Sequence, residues 1–271
     1  MTRNFASMNA TSDPAGEARQ VVDLNADMGE GFGRYVLDDG ALLDAVTSAS
    51  VACGFHAGDP VVMRETVARA ASRGVVIGAH PGYPDLVGFG RRELAASAAE
   101  IEALVIYQIG ALQAVCTAAG CRLRYVKAHG ALYNRAARDV EAAEAIVRAI
   151  RSVDPSLALL GLAGSAMLTA ARSAGIRAVS EGFVDRAYRR DGTLVPRSEP
   201  DSVLTDVDVI AERALRMVRT GTLETIDGGA IEVRAESLCT HGDGPHAVAI
   251  VRAVRAKLES AGVLVTSFVQ S

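Results

Sequence analysis

The sequence predicts an α/β chain folded as a distorted barrel of seven parallel strands with helices outside. Three observations carry this. Short apolar runs alternate from end to end with longer amphipathic segments, the pattern of repeated βα units. Most of the runs are almost wholly apolar, as strands buried on both faces must be. No linker or composition shift divides the chain, and a barrel of this type commonly takes 200 residues or more as one domain. The expected division is a disordered N-terminal tail over residues 1–19 and one (β/α)7 domain over 20–271.

The elements follow in order. Val21–Asn25 and Ala49–Cys53 read as the first two strands. Asp59 then supplies an N-cap and Pro60 a first helical residue, Val62, Met63 and Val67 form the buried stripe, and Gly74 ends the helix. Val75–Ala79 is the third strand. Ser97 with Glu100 forms a capping box, and Ile101, Leu104, Val105, Ile109, Leu112 and Val115 keep helical spacing up to Gly120. Leu123–Lys127 is the fourth strand, and periodicity places a helix over Val140–Ile150. Ala158–Leu162 and Ala178–Glu181 are the fifth and sixth, separated by a helix from Ser165 to Ala174 that Gly175 closes. A polar segment, Asp185–Asp201, breaks the alternation and marks a specialised loop. After a helix over Val207–Val218, Leu223–Ile226 and Ile231–Val233 flank Asp227–Gly228–Gly229 as a β-hairpin. Ser237–Thr240 is the seventh strand, and a last helix opens at Gly244–Pro245 and runs towards Leu258.

Composition narrows the function classes. The 271 residues hold 28 Lys+Arg against 32 Asp+Glu, a net charge of −4, with no basic cluster to meet phosphates. Aromatic residues are 4% of the chain and Trp is absent, which argues against base stacking, so nucleic acid is not expected as a partner. The first 19 residues lack the apolar core of a signal peptide, and the apolar stretch Leu157–Ala171 is too short to span a bilayer, so no membrane segment is expected. Cys53, Cys116, Cys121 and Cys239 are scattered without a CxxC pair, which fits a reduced, cytoplasmic setting.

Polar residues gather just past the carboxyl ends of the strands, where barrels build active sites. They are Asn25, Asp27 and Glu30 after the first strand, His56 and Asp59 after the second, and His80, Asp85 and Arg91 after the third. Lys127, His129, Tyr133 and Asn134 follow the fourth, Glu181, Asp185 and Arg186 the sixth, and His241 and Asp243 the seventh. Four of the five histidines thus occupy equivalent places. One such histidine is most simply a hydrogen-bonded loop residue; four together point to proton transfer, contacts to a carbonyl oxygen, or metal ligation. Asp27, His56, His80 and His129 could assemble a divalent-metal site, although no HxH or HExxH spacing supports one. Glycines beside them, in Ala52–Pro60, Gly78–Asp85 and Gly88–Arg92, permit turns with positive φ and close approach of backbone to a small ligand. The sequence carries no GxxxxGK[ST] loop and no GxSxG elbow.

In order, DLNADMGE (Asp23–Glu30), Ala52–Pro60, GAHPGYPDLVGFGRR (Gly78–Arg92), KAHGALYN (Lys127–Asn134), EGFVDRAY (Glu181–Tyr188) and CTHGD (Cys239–Asp243) closely resemble the LamB/YcsF family, which supplies one of the three subunits, designated A, of bacterial 5-oxoprolinase. The likeness covers residues 20 to 266; Ser50 departs from it, standing where the family pattern has Asn. It implies a seven-stranded barrel related to glycoside hydrolases and polysaccharide deacetylases. It further implies ATP-dependent opening of 5-oxo-L-proline to L-glutamate, with Mg2+ accompanying the ATP, together with B and C subunits. On that reading Asp27 and Glu30 serve as base or lactam N–H acceptor, and His56, His80 and His129 as oxyanion donors or proton carriers. Lys127, Arg91 and Arg186 meet a carboxylate or phosphate, and Glu181, Asp185, His241 and Asp243 close the ring, with Asn25, Tyr133 and Asn134 beside them. Two rivals stand: a metal-dependent carbohydrate hydrolase or deacetylase on the same fold, and a non-catalytic protein that only binds 5-oxoproline.

Overall fold

Seven parallel strands close on themselves in the computed structural model, which describes residues 11–12, 18–35, 37, 39–240 and 246–269. The strands are β1 (Val21–Met28), β2 (Ser48–Ala52), β3 (Val76–His80), β4 (Leu123–Val126), β5 (Ala158–Leu162), β6 (Ala178–Phe183) and β7 (Ser237–Thr240). Each pairs in parallel with the next, and β7 returns to β1 with Ser237 opposite Asp23 and Thr240 opposite Ala26. A short β8 (Leu264–Val265) adds to the start of β1. The excursion before β7 is an antiparallel hairpin of Thr222–Glu224 with Ala230–Glu232, as the Asp-Gly-Gly turn predicts.

Among the described residues the helices are α1 (Gly40–Leu43), α2 (Pro60–Ser72), α3 (Ala98–Ala118), α4 (Gly130–Ala136), α5 (Val140–Val153), α6 (Ala166–Ser173), α7 (Val207–Thr220) and α8 (Ala247–Ser260). Their starts follow the cap chemistry. Asp59 accepts from Val61 and Val62 N–H at the head of α2, and the Ser97–Glu100 capping box is complete at α3. Helix α3 is long and apolar enough to cross a membrane by length and composition; here it packs against α5, with Ile101, Val105, Ile109 and Leu112 buried. The tail expectation concerns residues that lie largely outside those described; Thr11–Ser12 pairs antiparallel with Ala18–Arg19. The four cysteines are free thiols.

Strand β1 explains why the barrel has a polar interior. Val22, Leu24, Ala26 and Met28 belong to the core shared with the helices. Asp23, Asn25 and Asp27 alternate with them, and so point into the lumen, where all three are buried. Below them the lumen is closed by Val76, Tyr125, Leu160 and Val179, with Phe268 edge-on to Tyr125 at 5.3 Å. The Tyr125 ring lies across from Gly78 and occupies the space a Cβ there would need, so the glycine is required by the tyrosine. Ser50 meets the Tyr125 hydroxyl at 3.0 Å.

Asp23 accepts hydrogen bonds from Thr47, Ser48 and Ser237 hydroxyls. Burial nonetheless outweighs them and pushes its carboxyl up to about 6. A carboxyl whose folded pKa exceeds its unfolded value stabilises the fold most at low pH, and that contribution is lost as pH rises through about 6. We expect Asp23→Asn to be better tolerated at pH 7.5 than at about pH 4.5, the two costs differing by about 2 kcal/mol. Urea unfolding at both pH values measures this, and a cost independent of pH would refute it.

Candidate active site

The polar residues of the strand ends meet around one cavity of about 350 Å³. Asp27, Glu30, His80 and His129 line it, with Arg91, Lys127, Tyr133, Asn134, Phe183, Arg186 and Arg197. The long β1 places Asp27 on the strand itself and Glu30 just beyond it. His80 ends β3, and His129 sits at the N-terminus of α4 with its N–H bonded to the Pro81 carbonyl. The expected loop at 185–201 folds back through bridges Arg186–Val203 and Tyr188–Leu194, bringing Leu194, Pro196, Arg197 and Ser198 over the cavity.

At the cavity floor Lys127, with its side chain 2% exposed, is the hub. Its ammonium contacts Asp27 Oδ1 at 2.9 Å, Glu181 Oε1 at 2.9 Å, Asn25 Oδ1 at 3.0 Å and Cys239 Sγ at 3.1 Å. Burial alone would lower its pKa; Asp27, the Cys239 sulfur and Glu181 reverse this and hold it well above the ordinary lysine value. Asn25 donates to Glu181 and Ser237, and Tyr133 donates to Glu181 Oε2 at 2.7 Å. Asn25 and Glu181 do not line the cavity, so the roles expected of them become positioning ones, exerted through Lys127. The reason is that β6 continues to Phe183, so that Glu181 points into the lumen rather than ending a strand.

The three imidazoles form a second cluster. His56 and His129 stack with centroids 3.7 Å apart, and His80 stands edge-on to both. Glycines make the room: a Cβ on Gly90 would lie 2.6 Å from the His56 Cβ, and one on Gly82 2.7 Å from His56 Nδ1. Burial, followed by neighbouring imidazoles, holds His56 and His129 well below the usual histidine pKa, so both rings are neutral at pH 7.

Tautomers follow from the partners. His80 Nδ1 lies 2.8 Å from the Lys127 carbonyl and His129 Nε2 2.8 Å from the Phe89 carbonyl. A carbonyl only accepts, so each of those nitrogens carries the hydrogen. In the neutral rings, His80 Nε2 and His129 Nδ1 are therefore both acceptors, and they face each other at 2.9 Å. For His80 and His129 this removes the expected oxyanion-donor role, because those N–H groups are spent on the backbone, and leaves that of proton carrier. Phe89 adopts a left-handed φ of 54° to turn its carbonyl to His129, a strained conformation for a bulky residue.

Of the remaining residues, Arg186 lines the cavity but gives its Nε to the Ser202 carbonyl and an Nη to that of Val195, so it braces the loop. Asp185 is buried behind the wall and does not line the cavity. His241 and Asp243 lie outside the described residues. Two contributors are not marked by any sequence motif. Arg197 lines the cavity with one buried guanidinium nitrogen that has no hydrogen-bond partner. Gln108, on the buried face of α3, pairs with both N–H and C=O of Gly82 and fixes the loop under His56. A glutamine among Val105, Ile109 and Leu112 is its only signal.

Comparison with known proteins agrees with this architecture. Residues 22–271 match the LamB/YcsF family. The chain is 52% identical over 248 residues to the first of the 5-oxoprolinase A subunits of Agrobacterium fabrum, covering 91% of this chain and 97% of that protein. It is 54% identical over 249 residues to the 5-oxoprolinase A subunit of Streptomyces coelicolor, covering 92% and 100% respectively. The crystal structure of a lactam utilization protein from Thermus thermophilus superposes with a TM-score of 0.87 at 51% identity, over 92% of this chain and all of that one. With the motifs, the barrel and the cavity at its carboxyl rim in agreement, the chain belongs to the LamB/YcsF family.

Proposed function

We propose that this chain is the component of a 5-oxoprolinase in which 5-oxo-L-proline is bound and its lactam opened to L-glutamate. The observation that carries the reading is the polarity of the cavity. Buried Asp27, His80 and His129 line it, and so does Arg197, one of whose guanidinium nitrogens has no hydrogen-bond partner. A small cyclic amide with a carboxylate matches both: the carboxylate takes the arginine side, beside Arg91, and the amide faces the acceptors. Asp27 is the base in this arrangement. Lys127 holds its Oδ1, leaving Oδ2 turned towards His80 to take a proton from the attacking water and return it to the departing nitrogen.

ATP, with Mg2+, belongs to the proposal as the reagent consumed by the assembled enzyme with its B and C subunits. The described cavity does not make a nucleotide cradle. The sequence has no glycine-rich phosphate loop, Lys127 is committed at the floor, and Arg186 is committed to carbonyls. On this reading the cavity is assigned to the lactam and the nucleotide is held elsewhere in the assembled enzyme. Cytoplasmic action follows from the same reading.

Two experiments test it. Glutamate formation from 5-oxo-L-proline and ATP should require this chain together with its B and C partners, and its absence from the complete mixture overturns the proposal. Arg197→Met should raise KM for 5-oxo-L-proline by roughly 10- to 100-fold with kcat nearly kept, the value of one lost charge-assisted contact. An unchanged KM would remove Arg197 from the substrate site. Release of acetate from an acetylated amino sugar would favour the carbohydrate rival instead.

A further inference from the structure

The imidazole cluster holds a buried ring, His56, whose two nitrogens have no hydrogen-bond partner. With hydrogens on His80 Nδ1 and His129 Nε2, the other two ring nitrogens face each other at 2.9 Å, and Asp27 Oδ2 lies 3.3 Å from His80 Nε2. Glu30 Oε1 stands 3.7 Å from His129 Nδ1 and 3.8 Å from His56 Nε2. His56 is fully buried, and neither of its ring nitrogens has a hydrogen-bond partner. Two buried polar atoms left unsatisfied in this way call for an explanation. One ligand atom from each of Glu30, His56, His80 and His129 lies within 4.8 Å of all the others. Ligands on a single ion at metal–nitrogen distances of about 2.1 Å stand roughly 3 to 4 Å apart, so an ion would draw the four atoms together and turn the stacked His56 and His129 rings out of parallel.

We infer that Glu30, His56, His80 and His129 form a binding site for one divalent transition-metal ion at the wall of the cavity. A proton shared by His80 and His129 would relieve only that pair and leave His56 unanswered, whereas an ion also engages His56. Imidazole with carboxylate suits Zn2+, Co2+ and their neighbours better than Mg2+, which prefers oxygen ligands. Asp27 stays outside the set because its other oxygen is fixed by Lys127. The site shares His80 and His129 with the cavity wall described above, and its test reads Zn2+ and Co2+ binding alone, independently of the proposed reaction.

The full chain, stripped with a chelator and titrated with Zn2+ and separately with Co2+, tests it. We expect one ion per chain with roughly micromolar or tighter affinity, and visible d–d absorption from bound Co2+. His56→Leu fills the same buried space without unsatisfied nitrogens. It should leave the melting temperature of the metal-free chain unchanged or higher while weakening Zn2+ binding roughly 100-fold. Glu30→Gln provides a second variant with the same loss of affinity should His56→Leu misfold. The inference fails if no ion is retained, or if both variants bind Zn2+ as tightly as the unmodified chain. It also fails if nitrogen NMR shows a doubly protonated His80 that Zn2+ does not perturb.

Discussion

Lys127→Met is expected to destabilise the fold by about 4 kcal/mol at pH 7.5, because it strips the counter-charge from two buried carboxylates. Glu181 is wholly buried and the Asp27 side chain is 9% exposed, and both rest on the same ammonium. The methionine fills the volume but donates nothing, so Asn25 Oδ1 loses its partner as well. Marginal stability makes such a loss a large fraction of the total. The pH dependence distinguishes this cause from a packing defect. In the variant the two carboxyls gain stability by binding protons, so their folded pKa values rise. The deficit should therefore be greatest above neutrality and shrink as pH falls towards about 5. Urea unfolding at several pH values reads both effects. A variant within about 1 kcal/mol of the unmodified chain at pH 7.5 would show that the charges are not held as described.

Much of this arrangement is legible in the sequence, and the parts that are not share a physical reason. The alternation in Val21–Met28 sets polar Asp23, Asn25 and Asp27 on one face and apolar residues on the other, so the polar lumen can be read once that strand is known to be closed. Strand positions follow because fully buried parallel strands leave apolar runs that turn signals delimit. Helix α4 escapes because seven residues are too few to show a period, although His129–Gly130 marks its start. The pairing of Gly78 with the Tyr125 ring joins residues on neighbouring strands far apart in sequence, and no local pattern specifies it. In the sequence Arg197 is one of several loop arginines. Only the folded loop turns it to the cavity while Arg189 and Arg190 pair at the surface with Glu199 and Asp227. The histidine roles are hidden for a related reason: which nitrogen carries hydrogen depends on the carbonyls of Phe89 and Lys127, and those positions belong to the tertiary structure.

Asp27→Asn is expected to lower kcat of the assembled enzyme by about 10³-fold, the scale of a lost general base, with KM for 5-oxo-L-proline little changed. The substitution isolates chemistry because the surroundings can accept an amide. The new carboxamide would keep an oxygen for the Lys127 ammonium and offer an N–H to His80 Nε2, which is an acceptor in the neutral tautomer. Lys127 would still hold Glu181 and Asn25, so the fold should lose no more than about 1.5 kcal/mol. Loss of turnover with unaltered substrate affinity and near-normal urea unfolding would place proton transfer on this oxygen. A loss of turnover matched by collapse of stability would make Asp27 a structural partner of Lys127. Turnover within about 10-fold of the unmodified enzyme would assign the base to another wall of the cavity.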